Sequence, residues 1–248
     1  MQLTVLGRYG SFPGVDGACS GYLLEEDGRY LLMECGNGVL GRLQRYCPIE
    51  ALEGIVVSHL HADHMGDLLV LRYGLEGLRA LGEASEPLPL YVPATPEEVV
   101  RLLDWPEVFA LTPIADGVEA AIGPFDLAFT RMEHSAESYA ITVQAAGRRL
   151  VYSGDTAMNP QLLTVAEGAG LFLCEATAPR PRPLTPAQFP HLTAIQAGDV
   201  ACRAGVGELL LTHIWFADPP EEYEAEARRM FSPVAVAEEM VTYEVKLP

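Results

Sequence analysis

The sequence predicts an α/β fold in which two β-sheets pack between outer helices. Short apolar segments typical of buried strands alternate with segments of helical periodicity along the whole chain. This alternation occurs twice in a similar order, and no linker-like change of composition separates the two halves. Strands that alternate with helices build layered α/β folds, so we expect residues 1–248 to form one domain around its own core.

The first half contains five predicted strands and three predicted helices. The strands cover residues 3–6, 21–25, 30–34, 54–58 and 88–92, and the helices cover 39–46, 64–81 and a segment that begins at Pro96. Between the first two strands lies a loop rich in Gly and Pro, and Glu26-Asp27-Gly28 predicts a hairpin turn. Thr95, with Glu98 three residues later, predicts a capping box.

The second half repeats this organisation. Predicted strands cover residues 125–133, 138–145, 149–153, 171–174 and 208–212, and predicted helices cover 161–167, 193–204 and most of 219–240. A proline-rich loop occupies 176–191. An apolar helical pattern over 234–241 is compatible with a dimer interface and equally with a monomer's core, so a homodimer stays open.

The charge balance excludes some classes of partner. The chain has 34 acidic and 16 basic residues, a formal charge of −18. Binding to extended nucleic acid or to anionic lipid requires clustered Lys and Arg, so we expect neither partner. No apolar run is long enough for a membrane span, and the first residues lack the basic segment of a signal peptide. The five cysteines are scattered and form no C-x-x-C pair, which argues against a disulfide framework or a zinc ribbon. We therefore expect a cytoplasmic protein with reduced thiols.

Half of the six histidines lie within six residues, directly after the apolar strand 54–58. Residues two apart in an extended segment point the same way, so His59 and His61 can bind one ion together. As the chain turns into a helix, Asp63 and His64 face a neighbouring point and can bind a second ion. The alternative is a surface loop that happens to be rich in histidine.

Three further candidate ligands each follow a predicted strand. His134, Asp155 and His213 come after the strands 125–133, 149–153 and 208–212, where sheets commonly deliver functional side chains. Each alone is compatible with a capping or core role. Together with the histidine segment they make seven ligands, enough for two ions that share a carboxylate. Imidazole and carboxylate suit Zn²⁺ and also accept iron or Mn²⁺.

This ordered pattern, H-x-H-x-D-H, then His, then Ser-Gly-Asp, then Thr-His, resembles the metallo-β-lactamase superfamily over almost the whole chain. The resemblance implies a four-layer αββα sandwich, two mixed sheets flanked by helices, and a hydrolase with two Zn²⁺ ions. It implies that His59, His61 and His134 hold the first metal, that Asp63, His64 and His213 hold the second, and that Asp155 bridges them.

Two short segments are similar to the ribonuclease Z-like phosphodiesterases. Cys174-Glu175-Ala176-Thr177 is similar to that branch's His-Glu-Ala-Thr loop, and His191-Leu192-Thr193 to its His-Ser-Thr element. The resemblance implies that Glu175 and His191 pass a proton to the leaving group, while Asp63 and Asp155 orient a hydroxide shared by the metals. The alternative is that His191 caps a helix and Glu175 forms a salt bridge.

The chain also departs from that branch. The tRNA-binding arm of ribonuclease Z lies between the third His and the bridging Asp, where this sequence has room for a hairpin only. Glu34-Cys35-Gly36 stands where Asp-Cys-Gly is usual. A compact phosphodiesterase acting on a small anionic ester or short nucleic acid is therefore expected.

Two sets of loop residues are candidates for substrate contact, and two other functions stay open. Arg180 and Arg182 can contact a substrate phosphate or be solvated loop charges, and Phe12 and Pro13 can cover the site. The same metal core also serves thioester or lactone hydrolases similar to hydroxyacylglutathione hydrolase. A metal-bound module without turnover is the remaining alternative.

Overall fold

The computed structural model describes residues 1–83, 86–181 and 188–247. Within these residues the chain forms fourteen strands and seven α-helices. The strands are β1 (Gln2–Gly7), β2 (Gly21–Glu26), β3 (Arg29–Met33), β4 (Leu52–Val56), β5 (Leu88–Pro93), β6 (Phe109–Ile114), β7 (Glu119–Ile122), β8 (Phe125–Met132), β9 (Ser138–Ala145), β10 (Arg148–Tyr152), β11 (Leu171–Glu175), β12 (Leu209–Thr212), β13 (Val234–Val236) and β14 (Thr242–Glu244). The helices are α1 (Val39–Leu43), α2 (Ala62–Met65), α3 (Leu68–Ala80), α4 (Glu97–Leu103), α5 (Pro160–Ala166), α6 (Ala194–Ala204) and α7 (Pro220–Arg228).

The strands build two seven-stranded mixed sheets. The first has the order β14-β1-β2-β3-β4-β5-β6 and the second β13-β12-β11-β10-β9-β8-β7. Each sheet joins an antiparallel half to a parallel half; β3 to β6 are parallel in the first, and β10 to β13 in the second. Parallel strands end at a common edge, so each sheet presents several carboxyl-terminal strand ends together.

Three apolar cores fill the spaces between four layers. The core between the sheets includes Leu3, Tyr22, Phe125, Tyr152 and Leu173. Helices α1, α3 and α4 cover the outer face of the first sheet, and helices α5, α6 and α7 cover that of the second. Strand β11 is buried along its whole length, as expected for a strand packed on both faces. The predicted fold class, two mixed sheets flanked by helices, is confirmed.

The predicted helix over 219–240 is wrong beyond its first half. Helix α7 ends at Arg228, and Val234–Val236 instead forms β13, parallel to β12. Pro233 cannot donate a helical hydrogen bond, and its carbonyl accepts one from Leu209 N. The apolar pattern over 234–241 therefore begins as a strand of the second sheet and is not a helical surface.

Two helix starts also differ from expectation. The predicted helix over 64–81 is divided: α2 ends at Met65, and α3 begins after Asp67, whose carboxylate accepts a hydrogen bond from Leu40 N. The capping box at Thr95 is absent: Pro96 is the N-cap of α4, and Thr95 Oγ1 donates to Glu137 Oε2. In residues 1–83, 86–181 and 188–247, no helix has both the length and the apolarity to cross a bilayer.

Candidate metal centre

The ends of four strands deliver the seven predicted ligands to one place. His59, His61, Asp63 and His64 follow β4, and His61 is the N-cap of α2. The other three follow β8, β10 and β12. The side chains form two groups whose ligand atoms lie within 4.8 Å of one another: His59, His61, His134 and Asp155, then Asp63, His64 and His213.

Asp155 lies at the centre of the cluster. Its Oδ2 atom is 3.2 Å from His213 Nε2, 3.5 Å from His64 Nε2 and 3.6 Å from His59 Nε2. The side chain is 1% exposed. One carboxylate therefore faces both groups of ligands, which is the arrangement that two neighbouring ions sharing one ligand require.

Four of the histidines are oriented by a partner on the ring nitrogen that points away from the cluster. Metal-ligating histidines typically bind a carboxylate, carbonyl or other polar group through that second nitrogen. The partners are Ser58 Oγ for His59 Nδ1 (3.1 Å), Glu34 Oε2 for His64 Nδ1 (3.2 Å), the Pro190 carbonyl for His134 Nδ1 (3.1 Å) and Thr177 Oγ1 for His213 Nδ1 (3.0 Å).

Two ligand atoms of the cluster lack hydrogen-bond partners. Among the described residues, His64 Nε2 and Asp155 Oδ1 are buried without one. An unpaired buried polar atom costs about 1–3 kcal/mol, so such atoms usually mark a missing partner. A divalent cation supplies that partner to nitrogen and carboxylate oxygen alike. The residues present therefore fit a divalent metal, and the donor set is one that Zn²⁺, iron and Mn²⁺ accept.

The protonation states of four of the ligands favour metal binding as well. Burial lowers the pKa of His59, His61 and His134, which keeps these rings in the neutral form that ligates metals. Burial raises the pKa of Asp155, but the neighbouring imidazoles, His213 first, outweigh it and hold that pKa well below its usual value. The carboxylate is therefore ionised, as a ligand must be. His64 differs: burial lowers its pKa, but the charges of Asp155 and Asp63 outweigh burial and raise that pKa well above its usual value.

Glu175 and His191 form a hydrogen-bonded pair beside this cluster. His191 Nδ1 lies 3.0 Å from Glu175 Oε1 and 3.8 Å from Asp155 Oδ2. Glu175 is fully buried at the end of β11 and also accepts from Thr156 N (2.8 Å) and Thr177 Oγ1 (2.9 Å). Burial lowers the pKa of His191, but the charge and hydrogen bond of Glu175 outweigh it and raise that pKa to about 9.

His191 does not cap the helix that follows it. The N-cap of α6 is Thr193, which forms a reciprocal capping box with Gln196. His191 instead packs its ring against those of His213 and His134, with centroids 5.4 Å and 5.0 Å away. Its position is therefore set by the cluster and by Glu175, and it faces the cavity described next.

A cavity of about 600 Å³ opens over the cluster. It is lined by five of the predicted ligands and His191, together with Thr177 and six residues that the sequence did not single out for substrate contact: Ser11, Ser135, Gln188, Phe189, Pro190 and Trp215. A volume in this range suits a small organic molecule. The sequence signal for most of the additional residues was a place beside a predicted site residue, as for Pro190 directly before His191 and Trp215 two positions after His213.

Of the two arginines predicted to contact substrate, the structure describes only Arg180. Arg180 is on the surface, where it pairs with Glu222 at 2.8 Å and Glu226 at 3.9 Å, and the described residues that line the cavity do not include it. Arg182 lies outside the described residues. Phe12 and Pro13 are not among the described residues that line the cavity, but the ring of Phe12 contacts that of Trp215, which lines it.

Comparisons with known proteins agree with this geometry. A model of the β-lactamase superfamily domain matches residues 29–214. The probable metallo-hydrolase YhfI of Bacillus subtilis is 30% identical over 94% of each chain. Its crystal structure has a TM-score of 0.90 and covers 98% of this chain and 99% of its own, at 28% identity.

Ribonuclease Z proteins are similar as well. The enzyme of Haloarcula marismortui is 27% identical, with 100% of this chain and 98% of that protein covered. The human short-form tRNase Z shares the fold, with a TM-score of 0.72 at 21% identity and coverage of 99% and 100%. The chain therefore belongs to the β-lactamase superfamily, and its metallo-β-lactamase fold and its cluster of histidines and aspartates fit a metal-dependent hydrolase.

Proposed function

We propose that this protein is a dinuclear-zinc phosphodiesterase related to ribonuclease Z but without a tRNA-binding arm. The observation that carries the proposal is the pair of Glu175 and His191 beside the ligand cluster, because ester hydrolysis with a poor leaving group requires a proton donor there. Between His134 and Asp155 the chain forms only the hairpin of β9 and β10, which leaves no room for an arm.

The chain would hold the metals through the seven ligands described above, with Asp155 shared. When bound, the ions supply Lewis acidity and lower the pKa of a coordinated water to about 7. Asp63 accepts a hydrogen bond from Ser11 N at 2.6 Å, and His213 Nε2 lies 3.3 Å from the same oxygen. These contacts hold the Asp63 carboxylate toward the cluster, where it orients the attacking water.

His191 is the proton donor in this proposal. Its raised pKa keeps it protonated at neutral pH, and Nδ1 is engaged by Glu175, which leaves Nε2 for the departing oxygen. Glu175 cannot move toward the substrate, because Thr156 and Thr177 hold its two oxygens. It therefore acts by positioning the imidazole and by stabilising its charged form.

The substrate proposed is small. The cavity of about 600 Å³ accommodates a mononucleotide-sized ester, and a formal charge of −18 disfavours a long polyanion. Two divalent ions change that total only from −18 to −14 but place four positive charges in one cleft. A small anionic ester is therefore attracted locally, although the protein as a whole repels nucleic acid.

We also propose one domain and a cytoplasmic location. The core between the sheets contains residues from both ends of the chain, including Met1 and Val245. All five cysteines are free, as suits a reducing compartment.

The test compares two phosphodiesters that differ in their leaving group, using protein loaded with Zn²⁺. A p-nitrophenyl ester leaves as a stable anion without a proton, whereas an alkyl ester requires one. We expect His191→Ala to lower kcat about 10²–10⁴-fold for a dinucleoside monophosphate and much less for bis(p-nitrophenyl) phosphate. The control is Gln161→Ala, an exposed residue on helix α5.

Three results would overturn the proposal. Equal losses with both esters would remove His191 from the proton transfer. Turnover of S-lactoylglutathione or of an acyl-lactone, without turnover of either phosphodiester, would instead favour the thioester or lactone hydrolase. A protein that binds two metals and hydrolyses none of these substrates would favour the module without turnover.

A further inference from the structure

Three aromatic side chains form a cluster next to the metal cavity, and one of them, Trp215, lines it. The ring centroids of Phe12 and Phe216 are 4.8 Å apart, those of Trp215 and Phe216 are 5.0 Å apart, and those of Phe12 and Trp215 are 5.4 Å apart. Phe12 is 48% exposed and Phe216 is 41% exposed. Three aromatic side chains in mutual contact, two of them open to solvent, are an unusual surface feature and typically mark a binding site.

The cluster is joined to the metal centre by the backbone. Ile214 N donates to the Arg8 carbonyl at 3.0 Å, and Gly10 N donates to the Ile214 carbonyl at 3.1 Å. These bonds tie the loop that carries Phe12 to the segment that follows His213. Trp215 also lines the cavity. The backbone segments that carry the aromatic rings are therefore joined to each other beside the candidate metal ligand His213.

The chemistry of the aromatic cluster and of the residues beside it indicates which kind of ligand can bind there. A flat aromatic group stacks on such rings, and every nucleobase offers a π-face. The loop that carries Trp215 and Phe216 continues into Asp218, Glu221 and Glu222, so an anionic lipid surface or a long nucleic acid would be repelled. A single nucleobase attached to an ester in the metal cavity can stack on the rings and carries too little negative charge to be repelled by these acidic residues.

We propose that Phe12, Trp215 and Phe216 form the surface on which the nucleobase of a mononucleotide-sized phosphodiester stacks. This inference rests on the proposed phosphodiesterase function and adds the substrate class: a nucleoside ester, recognised by the face of its base. Stacking of this kind tolerates different bases, so the surface selects for the presence of a base and not for its identity.

The kinetic test uses two diesters without an aromatic leaving group. One is the methyl ester of thymidine 5′-phosphate, and the other is the same diester with a methoxy group in place of thymine. We expect Phe12→Ala and Phe216→Ala to lower kcat/KM for the first about 5- to 100-fold, chiefly through KM, and to leave the second unchanged. Phe12→Tyr restores the activity, and Tyr73→Ala, an exposed aromatic on α3, is the control.

A binding test is independent of turnover. The chain has two tryptophans, so the variant Trp105→Phe leaves Trp215 as the sole indole. We expect thymidine 5′-phosphate to quench its fluorescence saturably in the zinc-loaded protein, and the base-free sugar phosphate not to do so. Quenching without turnover of either diester would disprove the phosphodiesterase while supporting the base site. Equal loss of activity with both diesters, or the absence of saturable quenching, would overturn the base site itself.

Discussion

Glu34 Oε2 lies 3.2 Å from His64 Nδ1, and both side chains are completely buried. The other oxygen of Glu34 accepts a hydrogen bond from Ser58 N at 2.8 Å, at the end of the strand that delivers the histidine segment. The Glu34 carboxylate thus holds the ring of His64 and also the backbone of Ser58, which precedes the candidate ligands His59 and His61. Glu34 is the residue that departs from the Asp-Cys-Gly pattern, and its longer side chain still reaches the ligand.

Removing the charge of Glu34 is expected to weaken metal binding. In Glu34→Gln only one oxygen remains for the two donors, His64 Nδ1 and Ser58 N, and the negative charge that strengthens the ring as a ligand is gone. Changes of this kind typically cost about 10–100-fold in metal affinity. Competition with a chromophoric chelator measures it, and Glu107→Gln on the surface is the control. An unchanged metal affinity in Glu34→Gln would show that the contact between Glu34 and His64 does not contribute to metal binding.

Removing the shared carboxylate is expected to change the metal stoichiometry. Asp155→Asn keeps the size of the side chain but supplies only one neutral oxygen to two sites. We expect metal analysis to find about two equivalents in the unaltered protein and one or fewer in the variant. Two full equivalents bound by Asp155→Asn would contradict the shared ligand.

Metal removal is expected to lower thermal stability. Free metal at about 1,000 times its dissociation constant stabilises the folded state by about 4 kcal/mol for each site, or about 8–16 °C in Tm for a chain of this size. A thermal melt with and without a chelator measures the shift. Because the ligands come from four different strand ends, the melt should move as a single transition. A Tm that is insensitive to the chelator would contradict metal binding in the cluster.

The positions of the seven candidate ligands followed from local rules. Each came after a segment that could be identified as a strand, and β4, β10 and β12 lie in the parallel parts of the sheets, where carboxyl ends meet at one edge. His134 follows β8, which is antiparallel to its neighbours. The buried segments 54–58, 171–174 and 208–212 were identified by their uninterrupted apolar character, and the structure places β4, β11 and β12 there. Such predictions succeed because burial of both faces leaves a strong compositional signal.

Features that depend on distant contacts were not predictable. Strand β13 has only three residues and is stabilised by pairing with β12. The apolar spacing of this segment predicted a helix, and that prediction was wrong. The edge strands β6 and β7 are partly exposed, and their composition lacks the usual alternation. The aromatic cluster at the cavity depends on a bridge between Tyr9 and Ile214, more than 200 positions apart, which no local pattern encodes.

Adding one methyl group at Gly10 is expected to disturb the metal centre. A Cβ atom at this position would lie 2.5 Å from His213 Cε1, much closer than carbon atoms approach without a shift. His213 cannot retreat easily, because Thr177 holds its Nδ1 atom. We expect Gly10→Ala to lose one equivalent of metal and most of its activity. Gly14→Ala, where a Cβ would meet nothing closer than 3.5 Å, is the matched control. Full metal content in Gly10→Ala would show that the loop carrying Gly10 can move.

The five cysteines are expected to differ sharply in reactivity. The thiolate is the reactive form, and burial raises the pKa of Cys47 to about 11 and keeps those of Cys35 and Cys174 well above the usual value. Cys202, on α6, is exposed. At pH 8 the folded, metal-loaded protein should therefore react rapidly with about one equivalent of a thiol reagent. Cys202→Ser should abolish this phase, whereas denaturant should release all five thiols. A rapid equivalent that remains in Cys202→Ser would contradict the prediction, because it would show that one of the buried thiols is accessible to the reagent in the folded protein.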